Sequence, residues 1–124
     1  EHPRIELAFG TLGLKDLPAL IAGAELHLGG DSFLMHLAGC VQTPTFTVWG
    51  GSDPNMYGWS RFAPHRHAMA YTAEPCAPCS RWLEPNTSRV TDPAKCPDFR
   101  CLRRFTADGL YRAISDFRRT LTGD

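Results

Sequence analysis

The first fifty residues alternate between two hydrophobic periods. Arg4–Phe9, "RIELAF", has apolar residues at every second position and predicts a strand. Leu14–Ala22, "LKDLPALIA", carries Leu14, Leu17, Leu20 and Ile21 at helical spacing; Pro18 fits only in the first turn, and Gly23 suits the closing cap. Ala24–Gly30 reads as a short strand. A second helix is expected from Phe33 to about Val41, with Leu34, Leu37, Ala38 and Val41 as its buried stripe. Thr43–Gly51, "TPTFTVWGG", is β-branched and ends in glycines, which predicts a third strand. Strand, helix, strand, helix, strand implies crossover connections and a parallel sheet. "TFTVW" suits a strand buried on both faces.

Residues 52–105 lose this periodicity and are rich in Pro, Cys, Arg and aromatics. An irregular excursion is expected there, with a Cys-rich loop over 70–105 that something must pin, because long structureless loops are uncommon in compact domains. Order returns over 106–122. Thr106 is a good N-cap, Asp108 suits the first turn, and Leu110, Ala113, Ile114, Phe117 and Leu121 share one face before Gly123. The expected fold class is α/β, one parallel-sheet unit over 1–124.

Composition narrows the function classes. Thirteen basic and thirteen acidic residues give zero net charge, so no long-range field draws a nucleic-acid polymer. The clustered arginines (Arg100, Arg103, Arg104; Arg112, Arg118, Arg119) read as a solvated helix face. No apolar run approaches the ~20 residues of a membrane span. No signal-peptide pattern is evident. The chain opens without Met on "EHPRIELAF", and is expected to be a fragment of a longer protein.

The chemistry-bearing stretch is "GGDSFLMHLAGC", Gly29–Cys40. Asp31 and Ser32 fall at a strand-to-helix turn on the carboxyl edge of a parallel strand, where open α/β sheets bind ligands. A helix N-terminus with a hydroxyl beside it suits a phosphate. His36 lies one turn on, on the same face as Ser32, and can donate to a phosphate oxygen. Asp31 can accept from sugar hydroxyls. The simpler alternative is that Asp31 or Ser32 caps the helix and His36 is a satisfied, half-buried histidine.

"GGDSFLMHLAGCVQTPTFTVWGGSDP" resembles the nucleotide-sugar half of the heptosyltransferase-like glycosyltransferases, family 9. Asp31, Ser32, His36, Leu37, Ala38, Thr43, Pro44, Gly50 and Pro54 match the family's pattern. "LKDLPALIAGAEL" and "RRFTADGLYRAI" are similar to its flanking helices. The resemblance implies two Rossmann-like domains in the GT-B arrangement, this chain being the later part of the donor-binding one. It implies an inverting, cytoplasmic transferase that moves a sugar, heptose from ADP-heptose, to a hydroxyl of lipopolysaccharide core or of protein. Asp31 would then contact the donor sugar, and Ser32 and His36 its diphosphate. Phe33 stands in the substrate-binding turn where the family has Gly. The general base and an earlier phosphate-contacting loop belong to the missing N-terminal acceptor domain and the missing start of the donor domain, so this chain alone is expected to be inactive. No metal is expected in the chemistry.

Five cysteines form one outlier and one cluster. Cys76 and Cys79 in "CAPC" are followed by Cys96 and Cys101 in "CPDFRC". Two short-spaced pairs bracketing a loop suit a tetrahedral thiolate site holding a structural zinc or iron, with His65 and His67 only as spare donors. Free thiols or disulfides are the alternatives. The cluster looks similar in position and count to the four-cysteine iron finger of the branch that heptosylates autotransporter proteins. Cys40 is expected to be a small core residue. Two other functions stay open: a nucleotide-sugar epimerase of the same architecture, and a non-catalytic, metal-pinned interaction module. An open sheet edge is also a place for a second copy to pair.

Overall fold

The computed structural model describes residues 4–8, 10–79, 96 and 98–123. Strands β1 (His27–Gly30), β2 (Thr45–Val48) and β3 (His67–Ala70) form one parallel sheet in that order. The register sets His27 beside Thr45 and His67 at the amino edge, and Gly30 beside Val48 and Ala70 at the carboxyl edge. The architecture is α/β with a parallel sheet, as the hydrophobic periods imply.

The central strand explains the layering. In "TFTV" the side chains alternate between faces, and Thr45, Phe46 and Thr47 are all buried. On one face, helix α2 (Phe33–Cys40) runs back from β1 to β2, and α1 (Leu17–Ala22) packs against α2 after a 3₁₀ turn at Leu14–Asp16. Ile21 and the Thr43 hydroxyl tie these together, because the hydroxyl donates to the Ile21 carbonyl at 2.7 Å. On the other face lies helix α5 (Ala107–Thr122), whose Phe117 ring meets Phe46 with centroids 6.2 Å apart. Arg118 of α5 also holds Glu25 through two bonds, Nε to Oε1 at 2.6 Å and a terminal nitrogen to Oε2 at 3.1 Å. This keeps the Glu25 carboxyl below the usual range, chiefly through the hydrogen bond to Arg118.

Both ends of α2 follow from local chemistry. Its C-terminus closes with Gln42 left-handed at φ 63°, Gln42 N–H on the Gly39 carbonyl and Thr43 N–H on the Ala38 carbonyl. That is the Schellman closure, here with Gln where Gly is usual. Helix α5 starts on Thr106, whose hydroxyl accepts from the Gly109 N–H at 3.1 Å, and ends on left-handed Gly123.

Several expectations are corrected. Arg4–Ala8 is not a strand; Ile5 and Leu7 are exposed and no neighbouring strand pairs with this stretch among the described residues, and Phe9 lies outside them. The 52–105 stretch is not uniformly irregular. It holds α3 (Pro54–Tyr57), β3 and α4 (Arg100–Arg103), so the Cys-rich loop of 70–105 begins on a strand residue and ends after a helix. Its residues 80–95 and 97 lie outside the described ones. The buried stripe of α2 runs through Met35 and Ala38, with Leu34 exposed. Cys40 is exposed rather than core, since it sits two residues, about 200°, around the helix from Ala38. No helix among the described residues is long and apolar enough to cross a membrane.

Candidate functional site

At the carboxyl edge β1 ends on Gly30, and Asp31 and Ser32 turn the chain into α2. Ser32 is the N-cap residue, extended at φ −158° and ψ 171°, and its carbonyl accepts from the Met35 N–H at 3.1 Å. Its hydroxyl makes no capping hydrogen bond. The N–H groups of Phe33 and Leu34 at this helix start have no intrahelical acceptor, and the helix dipole adds partial positive charge there. A hydroxyl, two free N–H groups and a dipole end therefore converge at the tip of β1.

His36 lies one turn along α2. Its Nε2 is 3.8 Å from Oδ1 of Asp31, and the two side chains are 45% and 26% exposed. The imidazole thus reaches back over the turn instead of packing inward, and both partners keep hydrogen-bonding capacity for a ligand. Phe33, at the first helical position, is 58% exposed, so its ring sits in solvent beside the turn and not in the core. The structure brings Asp31, Ser32, Phe33 and His36 together on one exposed edge. The capping alternative loses its hydrogen bond: neither polar residue of the turn is used as the side-chain cap.

A second turn leaves the same edge from β2. Trp49 is buried, Gly50 and Gly51 follow, and Asp53 caps α3 by accepting from the Asn55 N–H at 2.9 Å. Gly30 and Val48 are partners across the strands, so the two turns are neighbours.

The cysteine-bearing limbs lie beside that second turn. Cys76 is exposed, and Cys79, Cys96 and Cys101 are half-buried, all as free thiols. Burial pushes the Cys101 thiol up, and Cys79, Cys76 and Cys96 add to this. Cys96 Sγ accepts the Phe99 N–H at 3.3 Å. Among the described residues no three His, Cys, Asp or Glu side chains are gathered to hold a metal ion. The limbs are fastened to each other by an ion pair between buried Glu74 and Arg104 of the α4–α5 junction.

Sequence reasoning missed part of this. It left Glu74, Trp59 and the Gly50–Gly51 packing unassigned. It also took His67 for a spare donor, whereas His67 is a β3 residue with Nδ1 3.0 Å from the Thr45 hydroxyl. Nothing in "HAMA" itself marks a strand: His67 is buried while Met69, on the same face, is exposed.

The family model of glycosyltransferase family 9 (heptosyltransferase) matches residues 3–88. That span holds both turns of the carboxyl edge and the first cysteine pair. No curated protein and no solved structure matches the chain.

Proposed function

The chain belongs to glycosyltransferase family 9, and from that premise we propose that residues 1–124 are the later part of the donor-binding domain of a GT-B transferase. The full enzyme moves a sugar, heptose from ADP-heptose, to a hydroxyl of lipopolysaccharide core or protein, with inversion, in the cytoplasm. The general base comes from the acceptor domain. This part binds the donor and stabilises the departing diphosphate.

One observation carries the reading. Ser32 heads α2 with its hydroxyl free of any cap bond, and His36 stands one turn on beside Asp31. The Ser32 hydroxyl, the Phe33 and Leu34 N–H groups and the His36 imidazole would surround the diphosphate. Asp31 would accept from the sugar, and the exposed Phe33 ring would lie against the donor where a glycine would leave open space. Cys76, Cys79, Cys96 and Cys101 would hold a structural zinc or iron that pins the excursion, a reading supported by their spacing in the sequence; the transfer itself calls for no metal.

The test is donor binding by the full-length parent, ADP-heptose against other nucleotide sugars, wild type against His36→Ala. The expected result is a loss of about tenfold or more in affinity, the size of one hydrogen bond to a charged group. Unchanged affinity returns the trio to a structural role.

A further inference from the structure

Phe33 is 58% exposed at the first position of α2, a helix whose buried side passes through Met35 and Ala38. At about 100° per residue it stands about 200° around from Met35 and about 140° from Ala38, so it faces away from the packed side of α2. It enters no ring pair among the described residues. Local preference does not ask for it either: phenylalanine is a weaker helix former than alanine, and a first turn favours proline or an acidic residue. Helix geometry sets its direction. Each Cα–Cβ bond of an α-helix tilts toward the amino end, so a side chain at the first position leans over the turn that precedes it. Here that turn is Asp31–Ser32. A large apolar ring thus leans toward a free hydroxyl and toward a carboxylate and imidazole 3.8 Å apart.

An aromatic face beside hydrogen-bonding groups suits a ligand that carries both kinds of surface. A sugar ring has hydroxyls at its rim and C–H groups on its faces. A nucleobase is the other flat choice, and position decides between them. In a nucleoside diphosphate sugar the sugar is bonded directly to one phosphate, whereas the base stands a ribose beyond the other. The Phe33 ring springs from a residue whose own N–H is free for a phosphate, so the nearer group is the one it meets.

We propose that Phe33 is a specificity-determining residue of the donor site: its ring packs on the C–H face of the transferred sugar, whose hydroxyls donate to Asp31, and makes the site prefer a nucleoside diphosphate sugar to the bare nucleoside diphosphate. This rests on the donor-site reading given above. The product diphosphate lacks the sugar and loses this contact, so the ring also favours holding donor over holding product.

The experiment uses the full-length protein, with ADP-heptose and ADP as probes and affinities read by calorimetry for wild type, Phe33→Ala, Phe33→Tyr and His36→Ala. The quantity compared is the ratio of the two affinities, which a general loosening of the fold leaves unchanged. Phe33→Ala is expected to lower the preference for ADP-heptose about tenfold while ADP itself stays within about twofold of wild type. Phe33→Tyr keeps the ring and is expected to keep the preference. A ratio unchanged in Phe33→Ala overturns the proposal, as does an equal loss of both probes. Tighter ADP in Phe33→Ala also overturns it, because the ring then blocks the turn instead of serving the sugar. The His36 variant separates the proposal from its premise. If wild type binds ADP in a His36-dependent way and the ratio does not move in Phe33→Ala, only the role of the ring fails. If wild type binds neither probe, the donor reading fails and takes the ring with it.

Discussion

The two edges of the sheet use the same residue types in opposite ways. At the amino edge His27, Thr45 and His67 stand side by side across the three strands. The Thr45 hydroxyl bonds His67 Nδ1, and the Trp59 ring lies 6.1 Å from the His67 ring. Thr45 and His67 are buried and bonded to each other, and His27 is half-buried with its Nδ1 enclosed. At the carboxyl edge Asp31, Ser32 and His36 are exposed, the hydroxyl caps nothing, and the carboxylate and imidazole stand 3.8 Å apart. A polar group whose partners are all inside the fold contributes to stability. A polar group whose partners are left to solvent is available to a ligand. The edges thus separate a histidine whose partner lies inside the fold from one left open to the proposed ligand.

The largest expected effect breaks the amino-side wall. Helix α2 lies so close to Trp59 that a Cβ on Gly39 would overlap its indole ring. Gly39→Ala is expected to cost about 1–3 kcal/mol, the usual range for overpacking a close contact. Urea unfolding measures this. At temperatures where the variant is still folded, its ADP affinity should match wild type; an equal loss of binding would mean the two edges are not independent.

The next test separates the edges by pH. Burial holds the His67 imidazole below its ordinary range, with smaller contributions from Arg66 and His65, and burial does the same to His27. The folded chain therefore keeps both rings neutral where the unfolded chain takes up protons. The stability they support is fully present above the unfolded imidazole value of about 6.5 and is lost as pH falls through the lower folded values. Unfolding free energy measured from pH 7.5 downward should stay level to about 6.5 and then decline. His27→Gln with His67→Gln should flatten that decline. A decline that persists unchanged in the double variant would sink the assignment.

How much of this was legible in the sequence depends on how local the cause is. The β1–α2–β2 unit, the Asp31–Ser32 turn and the α5 helix with its Thr106 cap and Gly123 stop were legible, because each rests on periodicity or a residue at a helix end. Arg4–Phe9 alternates as well as any strand, yet Arg4–Ala8 is not one, because pairing is not a property of the segment. Strand β3 is the converse case. "HAMA" has weak β propensity and becomes a strand because the edge of β2 supplies a ladder. Helix α2 starts at Phe33 as expected, yet its stripe passes through Met35 and not Leu34, because the packing of α1 and the sheet against it selects the buried side, and one position is about 100° around the helix. The contact of Cys79 on Gly51 joins residues far apart in the chain, and no pattern in either stretch announces it.

The smallest effect sharpens the comparison most, because it sets two helix starts against each other. Thr106 and Ser32 are both hydroxyl residues at extended N-cap positions. The Thr106 hydroxyl accepts from the Gly109 N–H; that of Ser32 makes no such bond. Thr106→Ala should therefore cost about 1 kcal/mol, the ordinary worth of a side-chain cap. Ser32→Ala should change stability by less than about 0.5 kcal/mol, as for a surface substitution away from any such bond. The difference is read by urea unfolding of the two variants side by side. If Ser32→Ala costs as much as Thr106→Ala, the Ser32 hydroxyl caps α2 in solution and is not held free for a phosphate. If it costs nothing and ADP affinity still falls severalfold, the hydroxyl serves the ligand, and the carboxyl edge carries chemistry that the fold itself does not require.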